Sequence, residues 1–74
     1  MRFGVPERVE VEVVVYDAVG RLVCSLVRKS CEPGYYRVRW DGCDDLGRAV
    51  ASGIYFVRFH AGNWTRTKKA ILIR

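Results

Sequence analysis

The chain has 74 residues, half of them hydrophobic, with 13 Lys and Arg against 8 Asp and Glu and a formal net charge of +5. That length gives one domain, 1–74, near the lower limit for folding alone, and the apolar fraction argues for an ordered core over disorder. No stretch reaches the roughly 18 apolar residues of a membrane span, and the first residues lack the apolar run of a secretion signal, so for an exported protein the expectation is a signal outside this sequence or export that uses none.

From Val9 the pattern alternates: Val9, Val11, Val13 and Val15 share one face, with Glu10 and Glu12 opposite. A period of two predicts a half-buried strand. Asp17 and Gly20 then mark a turn, the carboxylate as acceptor and the glycine for positive φ. Leu22, Cys24 and Leu26 continue one face of a return strand, with Val23 and Val27 on the other, and residues 29–34 close the next hairpin. Tyr36, Val38 and Trp40 line one face of a further strand, against Tyr35, Arg37, Arg39 and Asp41.

A loop containing Gly42, Asp45 and Gly47 comes next, with Gly53 at its exit; Tyr55, Val57 and Phe59 then oppose Ile54, Phe56 and Arg58. Residues 61–64 turn into a last strand, where Thr67, Lys69, Ile71 and Ile73 alternate with Lys68, Ala70 and Leu72. No window shows the helical i, i+3, i+4 pattern. Short strands between Gly-rich turns predict an all-β fold, a small antiparallel β-sandwich of about six to seven strands with no internal repeat or linker.

Alternation, with the need of so small a domain for large side chains, assigns Trp40, Tyr36, Val38, Tyr55 and Phe56 to the core, with Trp40 at its centre; the rival reading takes the aromatics Trp40, Tyr36, Tyr55, Phe56 and Phe59 as a stacking platform for single-stranded nucleic acid or sugar. Asp41, Asp44 and Asp45 lack calcium-loop spacing and the terminal glutamate, and they occupy one solvated corner rather than two sides of a cleft. Ser25, Ser30 and Ser52 have no histidine in plausible reach, and His60 at a strand end reads as bland. No catalytic, cofactor or metal site is expected, and the chain is not read as an enzyme.

The basic residues interleave with apolar ones, which predicts a solvated sheet face with charge-blunted edges. A nucleic-acid binder using that face is the alternative, but no recognition motif accompanies the charge and no nucleic-acid partner is expected. Cys24, Cys31 and Cys43 form no CxxC pair and resemble no zinc site, leaving one disulfide or three small buried hydrophobes. With Cys31 at a hairpin tip and Cys24 facing the region of Trp40, Cys24 and Cys43 are the closer pair and the candidate disulfide.

With the strands placed, "VVVYDAVGRLVCSLV", "PGYYRVRWDGCDDLGRAVASGIYFVRF" and "AGNWTRTKKAILIR" resemble the immunoglobulin-like C-terminal domain of flagellar hook-capping proteins. They are equally similar to the C-terminal sorting domains of secreted bacterial proteins, including those exported by type IX secretion. The resemblance implies an immunoglobulin-like sandwich used for sorting, anchoring or assembly at a bacterial cell surface or outside the cell, as a module of a parent exported protein. It reads Asp41 as the cap of the reversal after Trp40, and Asp45 with Gly47 as the bend into the next strand. The first strand is short relative to the family, with only residues 1–6 in its place. An open edge there predicts self-association, as a homo-oligomer or a filament built by strand exchange, with Trp64, Phe3, Val5, Ile71 and Ile73 as candidate partner contacts.

Overall fold

A computed structural model describes residues 1–73; Arg74 lies outside the described residues. Six strands form two antiparallel sheets: β1 (Arg2–Val5), β2 (Val9–Asp17), β3 (Leu22–Cys31), β4 (Gly34–Arg37), β5 (Gly53–Ala61) and β6 (Trp64–Leu72). One sheet has the order β3-β2-β5-β6 and the other is the pair β1-β4. The all-β sandwich expected from the alternation is the fold observed.

The valine run of β2 makes the centre, flanked on both sides by partners in register. Val13 sits between Val27 and Phe59, and Val15 between Cys24 and Val57. Val11, Val13, Val15 and Val57 are the most deeply buried side chains. The second sheet closes over them through Val5 and Val38, while Phe3 stacks on Tyr36 at 5.5 Å and leans on Phe59 at 5.8 Å between ring centroids. Residues 2–5, which the sequence offers as the remnant of a first strand, thus form β1 in full register with β4. The start of the chain extends this pairing: the Met1 amino group donates to the Val38 carbonyl, and the Val38 N–H to the Met1 carbonyl, both at 2.7 Å.

Three expectations change. Two register shifts interrupt the β2–β3 ladder, skipping Leu26 and Val23. Each extra residue reverses the parity of the strand beyond it. Cys24 and Val27 therefore both lie opposite core valines, while Leu22 faces out beside Tyr16, 59% exposed. Phe56 is not a core residue: alternation with buried Tyr55 puts it on the outer face, between Tyr16 and Lys69. Trp40 is half-buried at one end rather than central. Its indole N–H requires an acceptor, and it finds one in the Cys43 carbonyl at 2.9 Å in the adjoining loop, where the dry valine centre offers none.

Candidate functional site

The acidic corner is built from a five-residue turn that occurs twice. Residues 17–21 and 44–48 both read D-x-x-G-R. In the first, Asp17 Oδ1 accepts the N–H groups of Val19 (3.0 Å) and Arg21 (2.9 Å), and Oδ2 accepts Arg21 Nε at 3.0 Å. In the second, Asp44 Oδ1 accepts Leu46 (3.0 Å) and Arg48 (2.9 Å), and Oδ2 accepts Arg48 Nε at 3.1 Å. Backbone bonds Gly20 N–H to Asp17 O and Gly47 N–H to Asp44 O, both 3.0 Å, close the two loops, with φ of 87° and 78° at the glycines. Only residues without a Cβ adopt such φ freely. The backbone N–H of the closing arginine is the largest influence holding each aspartate below the ordinary carboxylate value.

This reassigns the bend: Asp44, not Asp45, pairs with Gly47. Asp45 points the other way, its Oδ1 accepting the Ser25 N–H at 3.0 Å and its own N–H reaching the Val23 carbonyl at 3.3 Å. The β3 bulge at Val23 presents those backbone groups, so Asp45 docks the loop onto the edge of β3. Asp41 caps the reversal as expected from the resemblance, accepting the Cys43 N–H at 3.0 Å, and Gly42 accepts the Val50 N–H at 3.0 Å. Gly53 opens β5. Among the described residues no group of three or more His, Cys, Asp or Glu side chains could hold a metal ion.

All three cysteines are free thiols. Cys24 lies between the two β3 residues that Asp45 binds, at the same end as Cys43, whereas Cys31 pairs with Val9 seven residues along β3, roughly 20 Å away. Burial foremost, then the charges of Asp45 and Asp41, pushes the Cys24 thiol up to about 11, against a smaller opposing hydrogen bond from Trp40. His60 Nδ1 lies 2.8 Å from Thr65 Oγ1 at the surface.

The other notable region is an open side. Tyr55, Val57 and Phe59 face the core, and residues directly opposite in a ladder share a face. Their β6 partners Ala70, Lys68 and Arg66, with Trp64 and Leu72 in the same row, therefore point to the core side. Ala70 and Leu72 are partly buried against the core, but the two-stranded sheet leaves the rest of the row uncovered: Trp64 is 47% exposed, and Arg66 and Lys68 are exposed. Three grooves succeed one another along this side. Residues 61–64 meet Gly4, Pro6 and Val9; Trp64, Arg66 and Lys68 meet residues 2–4; residues 68–72 meet Met1 and residues 37–40 across about 430 Å³.

Of the expected contact residues, Trp64, Ile71 (66% exposed) and Ile73 (85% exposed) are available to a partner. Phe3 and Val5 are not: their side chains complete this chain's own core. The twinned turn escapes a reading by strand pattern, because only a match of the two short segments to each other displays it. The cationic groove escapes it too, because the coverage of β6 depends on a distant sheet.

An antiparallel two-sheet sandwich whose chain crosses between its sheets is the architecture of immunoglobulin-like domains among others. The profile of the FlgD Ig-like domain matches residues 2–64. The chain belongs to this family, that of the flagellar hook-capping protein's structural, non-catalytic domain, which relates it to a structure of the bacterial cell surface. No curated protein and no solved structure matches it.

Proposed function

We propose that the chain is a non-catalytic module that acts outside the cytoplasm, in the sorting, anchoring or assembly of a larger exported structure. The observation that carries this reading is the open side of the sandwich. A domain this small gains most by covering apolar surface, yet it leaves Trp64 exposed on that side, with Ile71 exposed on the opposite face of the same edge strand and Ile73 exposed just beyond it. The resemblance to secretion-sorting domains supports the same reading. Immunogold labelling of intact cells tests it: label at the surface is expected, and label confined to the cell interior after permeabilisation overturns it.

A second reading, self-assembly by strand exchange between copies, is favoured by the β1-β4 pair, which has no further strand on either edge among the described residues. A donated strand on either edge would extend this small sheet, and head-to-tail exchange of that kind builds rings or filaments. Light scattering and negative-stain microscopy of the pure chain at high micromolar concentration decide it; a monodisperse monomer ends this reading.

A further inference from the structure

The two edges of the four-stranded sheet are unlike. The edge of β3 carries two bulges and is capped at residues 23–25 by Asp45. The edge of β6 has neither protection. Its nine residues pair with β5 without a register shift, contain no proline, and have no further strand on their outer side among the described residues. Such an edge is a template for another strand.

Charge decides which strand. Among the described residues all five ion pairs use arginines elsewhere: Arg8, Arg21, Arg28, Arg48 and Arg58. Arg2, Arg37, Arg39, Arg66, Lys68 and Lys69 line the grooves along β6 without an acidic partner among those residues. Between them lie apolar surfaces: Trp64 at one end of the row, and Ala70 and Leu72 at the other. Edge lysines alone would serve to repel any added strand. Here, however, the cations flank an apolar trough on both of its walls, which is an arrangement for a strand of opposite charge.

The geometry points to the β6 edge as a docking site for an extended acidic segment of a partner protein, added as a fifth strand of the β3-β2-β5-β6 sheet. Two acidic residues spaced two apart would lie opposite Arg66 and Lys68 on the core side. Apolar residues on the same face would meet Trp64 on one flank and Ala70 with Leu72 on the other. Backbone ladder bonds supply attachment, and the alternating pattern supplies selection. A second copy's β6 is disfavoured, because registers that overlap the two basic stretches set lysine or arginine against their own kind. This deepens the assembly reading and rests on it for a biological partner, whereas the docking itself is read on the pure chain.

The test uses the whole 74-residue protein and a blocked nine-residue peptide, with leucine and glutamate on one face in the order Leu, Glu, Glu, Leu and threonine on the other. NMR titration with amide exchange is the readout. Saturable binding is expected, with slowed exchange along residues 64–72 and weakening as salt is raised. Two N-methylated versions, one for each alternate set of amides, separate ladder pairing from simple charge attraction: one set abolishes binding and the other is tolerated. Arg66→Glu with Lys68→Glu should weaken the peptide at least about tenfold and bring in the lysine-for-glutamate twin; both sites are exposed, and a thermal melt checks folding. Equal binding of the lysine twin to the unaltered protein, indifference to both methylation patterns, tighter binding of oligothymidylate, or no binding at millimolar peptide each overturns the proposal. Light scattering without peptide reports self-association separately, and cell labelling reports location, so failure there is distinguishable from failure of the docking site.

Discussion

The indole of Trp40 meets the ring of Tyr55 edge-on, with 5.0 Å between centroids and 64° between planes. Because Trp40 Nε1 also donates to the Cys43 carbonyl, the same side chain joins the sandwich to the acidic corner. Trp40→Ala should cost about 3 kcal/mol, the low end for a large aromatic since the residue is half-buried. Trp40→Phe keeps a ring but loses the donor, and should cost about 1 kcal/mol. Urea melts of the two variants check the order; equal destabilisation would show that the hydrogen bond contributes nothing.

Asp17 and Asp44 predict an acid limb. Both carboxyls lie below their ordinary value of 3.8 in the folded chain, first through backbone N–H bonds to Arg21 and Arg48. A depressed folded value means that protons bind the unfolded chain more readily. Their contribution is thus fully present above 3.8 and is lost as the pH falls through the lower folded values. Melting temperatures of the wild type and of Asp17→Asn with Asp44→Asn should differ at neutral pH and converge in strong acid. A constant gap across the range would refute the linkage.

Gly47 tests the twinned turn on its own. A Cβ placed there meets nothing within 4 Å, so Gly47→Ala is penalised through its φ of 78° alone. The expected loss is about 1–2 kcal/mol, with Gly47→Asn recovering most of it because asparagine tolerates left-handed φ. Gly20→Ala should match it by chemical denaturation, since its turn is the same and its Cβ space is equally empty.

The thiols should separate by reactivity. With its value pushed up to about 11, Cys24 is almost wholly protonated under mildly alkaline conditions, and Cys31 is buried. Alkylation of the reduced native protein should therefore modify Cys43 first, with Cys24 and Cys31 reacting only in denaturant. Peptide mass mapping reads the order. Under oxidising conditions the same mapping tests Cys24–Cys43 pairing, which would remove Cys43 from the native labelling.

Much of this fold was legible in the sequence because it derives from parity. Val11, Val13 and Val15 of β2 and the row Tyr55, Val57 and Phe59 lie inward as their alternation requires. Parity failed on β3, where residues 22–24 and 26–27 are all apolar and either face can be buried, so nothing local marks a bulge. It placed Phe56 opposite Tyr55 correctly, yet size suggested a core aromatic where the strand turns it outward. The roles of Asp44 and Asp45 were interchangeable by composition, and only the position of β3 beside the loop separates them. The charge on β6 was visible, but its lack of cover depends on β1 and β4 being a sheet of only two strands.

The unequal edges of the large sheet give the domain a valence. A sheet that can be extended on both sides propagates, whereas one bulged on β3 and capped there at residues 23–25, and unshifted along β6, would favour addition at β6 alone. On the proposed reading the molecule would act through this sheet as a terminator. Any growing array would have to run through the β1-β4 pair instead, on the other layer of the sandwich. On the two proposed readings, attachment and propagation would fall to different layers of one small fold, and a substitution confined to β6 would remove the first while leaving the second untouched.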